Sequence, residues 1–351
     1  MKIHLNRKLQ VSESCNSPAL DIVTMAAGVE VIPSIAPPKG GAHHALPIPQ
    51  PHSPASSSRH PLAGFEKLPI SSLPLGIMSL SLGNPRKHSI DSKIIACASQ
   101  GWQGIEIHMD DITAKARSLS SCPRARVQEY TPNREEMLAS ARAISALCKI
   151  ARLRVICLEP FLHYPGLPLP ERTRRLEQDL PLWFELSDIL GTNLIQVASS
   201  MFGADRRPGV TGSEQRVVED LLLLAKAGQR WHTGTKYFAY EAMCFGAYVR
   251  TWQQAWRQIE LVDQENFGMV FDTFQMLGAA VADPALPGGF VEGWQDKLAE
   301  DVQQLRDTFV GEGKEGNRRK LFFCQLGDAK LPDTPLDENN PLYDPKQHGA
   351  Q

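Results

Sequence analysis

Two short hydrophobic runs in this sequence each end in a carboxylate. Glu241 ends the run KYFAYE and Asp272 ends the run GMVFD, while a third run, RKLFFCQLGDAK, ends with Gln325 and Asp328. A strand buried on both faces is a near-continuous apolar run, so an acid at its last residue can point into a cavity. Oxygen-bearing side chains at three strand ends suit a hard or borderline divalent cation. For either acid alone, capping of a following helix is the competing interpretation.

A histidine and a glutamate share one face of an earlier run. Glu106 and His108 alternate with Ile105 and Ile107, so both side chains point to the same side of the pleat. His108 is nearer the end of the run and is a candidate base or substrate contact. A structural histidine satisfied by MDD, which we predict to be the adjoining loop, is equally compatible with the pattern.

Polar side chains also follow the third and fourth apolar runs. Glu159 comes near the end of LRVICLEPF, His163 and Tyr164 follow it, and Gln196 lies between Ile195 and Val197. We expect His163 and Tyr164 on a rim. Because buried polar groups need partners, a ring of such residues at strand ends indicates a wet, ligand-binding mouth.

Seven candidate strands alternate with helical patterns, which is typical of repeated βα units and a parallel sheet. The strands are predicted at 75–82, 104–109, 153–161, 193–199, 237–242, 268–274 and 320–328. Helices are predicted at 89–100, 133–151, 170–190, 213–229, 251–262 and 293–310. We therefore predict an α/β fold of the TIM (β/α)8 type with about seven strands present and the eighth missing. A doubly wound open sheet is the alternative, but no GxGxxG follows the first strand.

The chain changes character near residue 72. Residues 1–72 are rich in Pro, Ser, Gly and His without periodicity, and we predict a disordered extension. Residues 73–330 form the predicted barrel domain. Residues 331–351 are a Pro- and Asp-rich segment that we predict to be a loop or tail.

Composition and charge exclude some partners. The chain has 351 residues, 42% hydrophobic content and 37 Lys plus Arg against 39 Asp plus Glu. A near-neutral charge without a basic cluster indicates neither nucleic acid nor an anionic membrane as a partner. The seven scattered cysteines fit reduced thiols in a cytoplasmic protein. Nothing in the sequence indicates an oligomeric state.

Several motifs in fixed order resemble the fungal 3-dehydroshikimate dehydratases, which are xylose isomerase-like TIM barrels related to sugar phosphate isomerases and epimerases. The motifs are SLSLG, GIEIHMDD, VICLEPF with YPGL, YEAMCF, FDTFQMLGAAVADP and FCQLGDAK followed by PLYDP. The resemblance covers residues 73–346. It implies a small-molecule substrate, 3-dehydroshikimate, and loss of water to give protocatechuate in quinate and shikimate catabolism.

The resemblance also implies a divalent cation, Mg²⁺ or Mn²⁺ with Co²⁺ as a further candidate. By motif, Glu241, Asp272 and Gln325 fall on the family's metal ligands, which agrees with the three strand ends found independently. His108 is the predicted base and His163 the alternative. Six further residues are predicted to contact substrate, namely Glu106, Glu159, Tyr164, Gln196, Gln275 and Asp328.

Three departures from the family pattern are visible. The family's fourth ligand is a glutamate on the eighth strand, and an arginine-bearing segment normally follows the YDP motif; neither occurs here. Gln275 also stands where some relatives carry a histidine, and glutamine cannot act as a base. From these departures we expect a weak or inactive enzyme with an unsealed barrel. The alternatives are a sugar or ketose-phosphate isomerase or epimerase of the same fold, and a truncated, non-catalytic barrel.

Overall fold

The computed structural model describes residues 74–126, 130–327, 329–330 and 333–343. The predicted disorder of residues 1–72 and the predicted site residue Asp328 lie outside the described residues. Residues 333–343 of the predicted tail contain turns and bends but neither helix nor strand. No helix among the described residues combines the length and apolarity that crossing a bilayer requires.

Seven parallel strands form one sheet in chain order. They are β1 (Gly76–Met78), β2 (Gly104–His108), β3 (Arg154–Phe161), β4 (Leu194–Ala198), β5 (Tyr237–Glu241), β6 (Phe267–Asp272) and β7 (Leu321–Gln325). Within the described residues β1 and β7 are the two ends of this order and do not pair with each other. The prediction of a TIM-type barrel with seven strands is confirmed, although β1 is shorter than predicted because a 3₁₀ turn (Ser79–Leu82) follows it.

Ten α-helices connect or flank these strands. They are α1 (Ile90–Ser99), α2 (Met109–Leu119), α3 (Arg134–Ile150), α4 (Leu169–Arg174), α5 (Leu180–Leu190), α6 (Glu214–Gln229), α7 (Trp252–Val262), α8 (Thr273–Ala280), α9 (Trp294–Phe309) and α10 (Glu315–Lys320) in the described part of the chain. A π-helical segment (Arg175–Asp179) joins α4 to α5, and a short 3₁₀ helix (Pro123–Arg126) follows α2.

Local signals explain where several helices begin and end. Asn133 caps α3, and its side chain and that of Glu136 form a reciprocal capping box with backbone N–H groups. Gly191 ends α5 in the left-handed conformation at φ 78°, which glycine adopts without a steric penalty. The MDD segment, by contrast, was expected to be a loop and is the first turn of α2, with His108 as its N-cap.

Three buried ion pairs or charged contacts stabilise the packing of the helices. Lys93 of α1 pairs with Asp111 of α2 at 2.7 Å, and both side chains are almost fully buried. Arg172 pairs with Asp220 at 2.7 Å, and Lys236 pairs with Asp188. In the described part of the chain, each charged side chain that is buried outside the barrel lumen therefore has a partner, as burial of an ion requires.

Gly268 of β6 has no side chain, and neighbouring atoms occupy the position that a Cβ atom would take. A Cβ atom at this position would stand 2.3 Å from the backbone oxygen of Lys320 and 2.7 Å from the ring of Phe322. Lys320 is the last residue before β7, the strand paired with β6, so its backbone cannot easily move away, and Gly268→Ala should lower the free energy of unfolding by about 1 to 3 kcal/mol. Urea unfolding measures this change.

Gly316 in α10 is the matched control, because a Cβ atom there would meet nothing within 4 Å. Gly316→Ala should be neutral or stabilising by less than about 1 kcal/mol, as expected for alanine in a helix. Equal effects of the two substitutions would contradict the packing of β6 against β7.

Candidate metal centre

Six polar side chains, one from each strand β2 to β7, converge near the C-terminal ends of the strands. They are Glu106, Glu159, Gln196, Glu241, Asp272 and Gln325. Four of them are nearly inaccessible, with exposures between 1% for Glu159 and 6% for Glu106, and the Asp272 and Gln325 side chains are partly buried. We call this set the polar ring.

An apolar layer lies one step toward the N-terminal ends of the strands. This layer is a separate buried cluster, which we call the inner cluster, made of Cys157, Leu194, Ala239, Val270 and Phe322. Each of these residues precedes a member of the polar ring by two or three residues. Layers of inward-facing side chains are how such barrels fill their interior. The polar ring therefore lies directly above a layer of apolar side chains.

An irregularity in β3 turns Glu159 inward. Where β2 pairs with β3, β3 has one extra residue between Val155 and Leu158. Both Val155 and Leu158 belong to the large hydrophobic cluster between the strands and the helices, which we call the outer core. As a result Ile156 and Cys157 both pack on the inner cluster, and alternation resumes with Glu159 on the inner face. A regular strand would have placed Glu159 on the side of Val155.

A second irregularity, in β7, turns Gln325 inward. One extra residue, Phe322, separates Leu321 from Phe323 in the pairing with β6. The shift places Gln325 directly beside Asp272. The predicted proximity of these two strand ends is therefore seen in the structure.

Hydrogen bonds link members of the polar ring side to side. The Gln325 Nε2 group donates to Oε2 of Glu106 at 2.7 Å, which joins β7 to β2 across the open side of the barrel. The Gln196 Nε2 group donates to Oε2 of Glu241. Gln275 at the start of α8 also hydrogen-bonds Glu241, and its Oε1 accepts from the backbone N–H of Cys244 at 2.8 Å.

Burial raises the pKa of every carboxyl group in the polar ring. It raises the pKa of Glu241 to about 8, of Glu106 to about 7 and of Asp272 to about 6, and that of Glu159 well above its usual range. The negative charge of Asp272 adds to the rise for Glu241 and for Glu106. These shifts mean that the poorly solvated space disfavours the ionised form of all four carboxyl groups.

Among the described residues, no positive side chain offsets the charge of these carboxyl groups when they ionise. Within the part of the chain that the structure describes, no Lys, Arg or His forms an ion pair with any of the four carboxylates. Both oxygens of Glu159 and the Oε1 atoms of Gln196 and Gln325 are buried without a hydrogen-bond partner. Oxygen atoms that lack a donor beside uncompensated carboxylates are a donor set that fits a divalent cation.

Asp272 caps a helix and also belongs to the polar ring. Its Oδ1 accepts from the backbone N–H of Phe274 at 2.8 Å and so caps α8. The same carboxylate lies beside Gln325 and raises the pKa of Glu241. Capping thus fixes the orientation of a carboxylate that remains in the polar ring.

His108 lies at the edge of the polar ring. It is the register neighbour of Glu159, and its side chain is 12% exposed. Its Nδ1 accepts from the backbone N–H of Asp110 at 3.1 Å, so the neutral ring carries its proton on Nε2. Burial lowers the pKa of His108, which favours this neutral form.

His163 and Tyr164 differ in their surroundings. His163 has φ 56°, an unusual conformation for a residue other than glycine, and its ring stacks on Phe202 at 4.6 Å. Burial and the nearby Arg207 and Arg175 lower the pKa of His163 to about 4. Tyr164 is fully buried in the outer core against Phe161, so its expected rim position is wrong.

One further group near the polar ring could not be identified from the sequence. Cys157, which looked like an ordinary core cysteine, has its sulfur within 4.8 Å of carboxylate oxygens of Glu106 and Glu159. Predicting that Cys157 lies beside these carboxylates would have required knowing that β3 contains an extra residue.

Comparison with known proteins identifies the relatives of this chain. The sequence model of the xylose isomerase-like TIM barrel family matches residues 94–341. A 3-dehydroshikimate dehydratase of Neurospora crassa is 34% identical over 275 residues, which cover 78% of this chain and 72% of that protein. A 3-dehydroshikimate dehydratase of Pseudomonas putida is 28% identical over 247 residues, and there the chain spans only 29% of the relative.

A solved structure agrees with the fold. A xylose isomerase-like TIM barrel/4-hydroxyphenylpyruvate dioxygenase fusion protein superimposes with a TM-score of 0.51 at 23% identity, covering 74% of this chain and 32% of that one. At this identity the likeness shows the architecture alone. Together with the family match and the fungal relative, it means that the chain belongs to the xylose isomerase-like TIM barrel family, in which it groups with the fungal 3-dehydroshikimate dehydratases.

Proposed function

We propose that this protein is a 3-dehydroshikimate dehydratase, which removes water from 3-dehydroshikimate to give protocatechuate. The observation that carries the proposal is the polar ring, in which Glu241, Asp272 and Gln325 stand at three adjacent strand ends of a chain 34% identical to such an enzyme. Quinate and shikimate catabolism in the cytoplasm is the proposed setting.

We assign Glu241, Asp272 and Gln325 as the residues that hold a divalent cation, with Mg²⁺ or Mn²⁺ favoured by an all-oxygen donor set. Such a cation, when bound, polarises the substrate ketone and so acidifies the neighbouring C–H bond. The orphaned Oε1 of Gln325 supports the assignment, because its Nε2 is already engaged with Glu106. The remaining steps depend on protein groups that hold or move protons.

The elimination needs a group that takes a proton from carbon and one that gives a proton to the departing hydroxyl. In its neutral form His108 carries its proton on Nε2 and accepts at Nδ1 from the backbone N–H of Asp110, so Nε2–H can donate a hydrogen bond to the departing hydroxyl. The ring transfers a proton to that oxygen only from its imidazolium form, and it acts as the base predicted from the sequence only in the tautomer that leaves Nε2 free. His163 stays the alternative for the base, although its low pKa makes it a weak one. Gln196 and Gln275 hold the carboxylate of Glu241 in place.

The Gln325–Glu106 hydrogen bond argues against complete loss of activity, although the sequence predicts a weak or inactive enzyme. It connects the last described strand to β2, so the polar ring is continuous although β1 and β7 do not pair. We therefore expect measurable turnover from the chain as it stands.

The first test is conversion of 3-dehydroshikimate by the full chain with added Mn²⁺, followed by the ultraviolet absorption of protocatechuate. Glu241→Gln should lower kcat/KM by about 100-fold or more, because loss of a metal ligand forfeits several kcal/mol of charge stabilisation. The exposed Glu219 is the matched control, and Glu219→Gln should leave turnover unchanged. Turnover of ketose phosphates with none of 3-dehydroshikimate would instead support an isomerase.

A second test separates the two histidines. His108→Asn should lower kcat by about 10²- to 10⁴-fold, the usual contribution of a proton-transfer group. His163→Asn should act mainly on KM, since His163 lies among Arg175 and Arg207 in a separate pocket beside Pro160. Steady-state kinetics of both variants decide between them, and a larger loss of kcat in His163→Asn would reverse the roles.

A third test uses the pH dependence of stability. The carboxyl groups of Glu106, Glu241 and Asp272 have higher pKa values in the folded protein than in an unfolded chain. The folded state therefore binds more protons, and the stability that these groups contribute at about pH 4 is lost as pH rises to about 8.

The melting temperature of chelator-treated protein should accordingly fall between about pH 5 and pH 8, and saturating Mn²⁺ should reverse the fall. Glu241→Gln removes one of the titrating groups and should show a shallower fall. Melting curves that rise over this range in the metal-free wild type, and match those of the variant, would contradict the burial of these acids.

A further inference from the structure

We propose that the barrel lumen holds a second divalent cation, bound by Glu106, Cys157 and Glu159 beside the centre assigned to Glu241, Asp272 and Gln325. Each of the three residues offers one ligand atom, and these atoms lie within 4.8 Å of one another. All three side chains are buried. The inference concerns cation binding alone and does not depend on the dehydratase activity.

Glu159 supplies the second, independent observation. It is 1% exposed, and neither of its carboxylate oxygens receives a hydrogen bond. The carboxyl group of Glu106 is close enough to share a proton with Glu159, but it offers no positive charge. An unpartnered buried carboxylate is costly, so either a cation or a proton must occupy this position.

The charges of the polar ring favour a cation. One divalent ion at Glu241 and Asp272 balances two of the four carboxylates, and the two that remain are the adjacent Glu106 and Glu159. The protein pairs its other buried acids with cationic side chains, as Asp111 with Lys93 shows. A second divalent ion would complete the same balance in the lumen.

The donor atoms predict which ions bind. A thiolate with two carboxylates suits borderline ions such as Zn²⁺ and Co²⁺, with metal–sulfur bonds near 2.3 Å and metal–oxygen bonds of about 2.0 to 2.2 Å. The side chains would need to close up by about an ångström on binding. Binding displaces the thiol proton of Cys157 to solvent, and the Gln325 hydrogen bond to Glu106 orients that carboxylate.

Titration of the chelated full chain with Co²⁺ tests the proposal. A bound thiolate gives a sulfur-to-cobalt charge-transfer absorption, which should appear in the wild type and vanish in Cys157→Ser. Cys148→Ser is the matched control, because Cys148 is buried in the outer core away from the inner cluster. Cys324→Ser tests an exposed thiol in the same way.

Stoichiometry gives a second measurement. Glu159→Gln, which preserves shape, should lower the number of tightly bound Co²⁺ ions by one relative to wild type, and Glu219→Gln should not. The difference between variants is insensitive to ions bound elsewhere on the chain. Loss of one ion together with loss of the sulfur band in Cys157→Ser supports the site.

Absence of the sulfur band in the wild type, or its persistence in Cys157→Ser, would overturn the proposal. So would equal stoichiometry in wild type and Glu159→Gln. Glu106 and Glu159 would then share a proton instead. Protocatechuate release that depends on Glu241 would stand in that case, so failure of the second site and failure of the proposed function are distinguishable.

Discussion

The constraint on which the rest of this structure depends is the burial of four carboxyl groups inside one barrel without a positive side chain beside them in the described residues. Burial raises the pKa of each, repulsion from neighbouring carboxylates adds to the rise for Glu106, Glu159 and Glu241, and the amide groups of Gln196, Gln275 and Gln325 offset only part of it. Such an arrangement is stable only when a cation or protons occupy the lumen. The site is therefore built around a ligand that the protein itself does not supply.

Buried charges outside the lumen follow a different rule. Lys93 with Asp111 and Lys236 with Asp188 are complete pairs, and Asp220 accepts from Arg172 and from the backbone of Gly166. The fold can thus neutralise an acid when neutralisation serves only packing. The unpaired acids occur together at the C-terminal ends of the strands, where barrels of this type carry their active sites.

The scaffold creates this arrangement through small departures from regular pairing. One extra residue in β3 and one in β7 place Glu159 and Gln325 on the inner face. Gly268 leaves room for Phe322 at the second irregularity, so the inner cluster and the polar ring above it are built together. Irregular pairing next to a functional site commonly serves to redirect a side chain in this way.

Alternating apolar runs predicted the strands, and the positions of Glu241 and Asp272 at strand ends follow directly from buried parallel strands. The alternation of GIEIH likewise placed Glu106 and His108 on one side of the strand, because a period of two is a local property of the backbone. The whole of α2 was missed, since its first turn, MDD, is equally compatible with a loop and with the acidic start of a helix.

The pairing of the strands in the folded sheet sets the inward direction of Cys157, Glu159 and Gln325. It also brings Gln325 into contact with Glu106 across 219 residues of sequence. VICLEPF and LFFCQ are apolar without clear alternation, so the sequence by itself determines that they are strands but not which residues face inward. That choice depends on pairing with neighbouring strands, where one extra residue moves every later side chain to the opposite face. The sequence therefore determined the chemistry available to this protein, and the register of its sheet decided which groups meet.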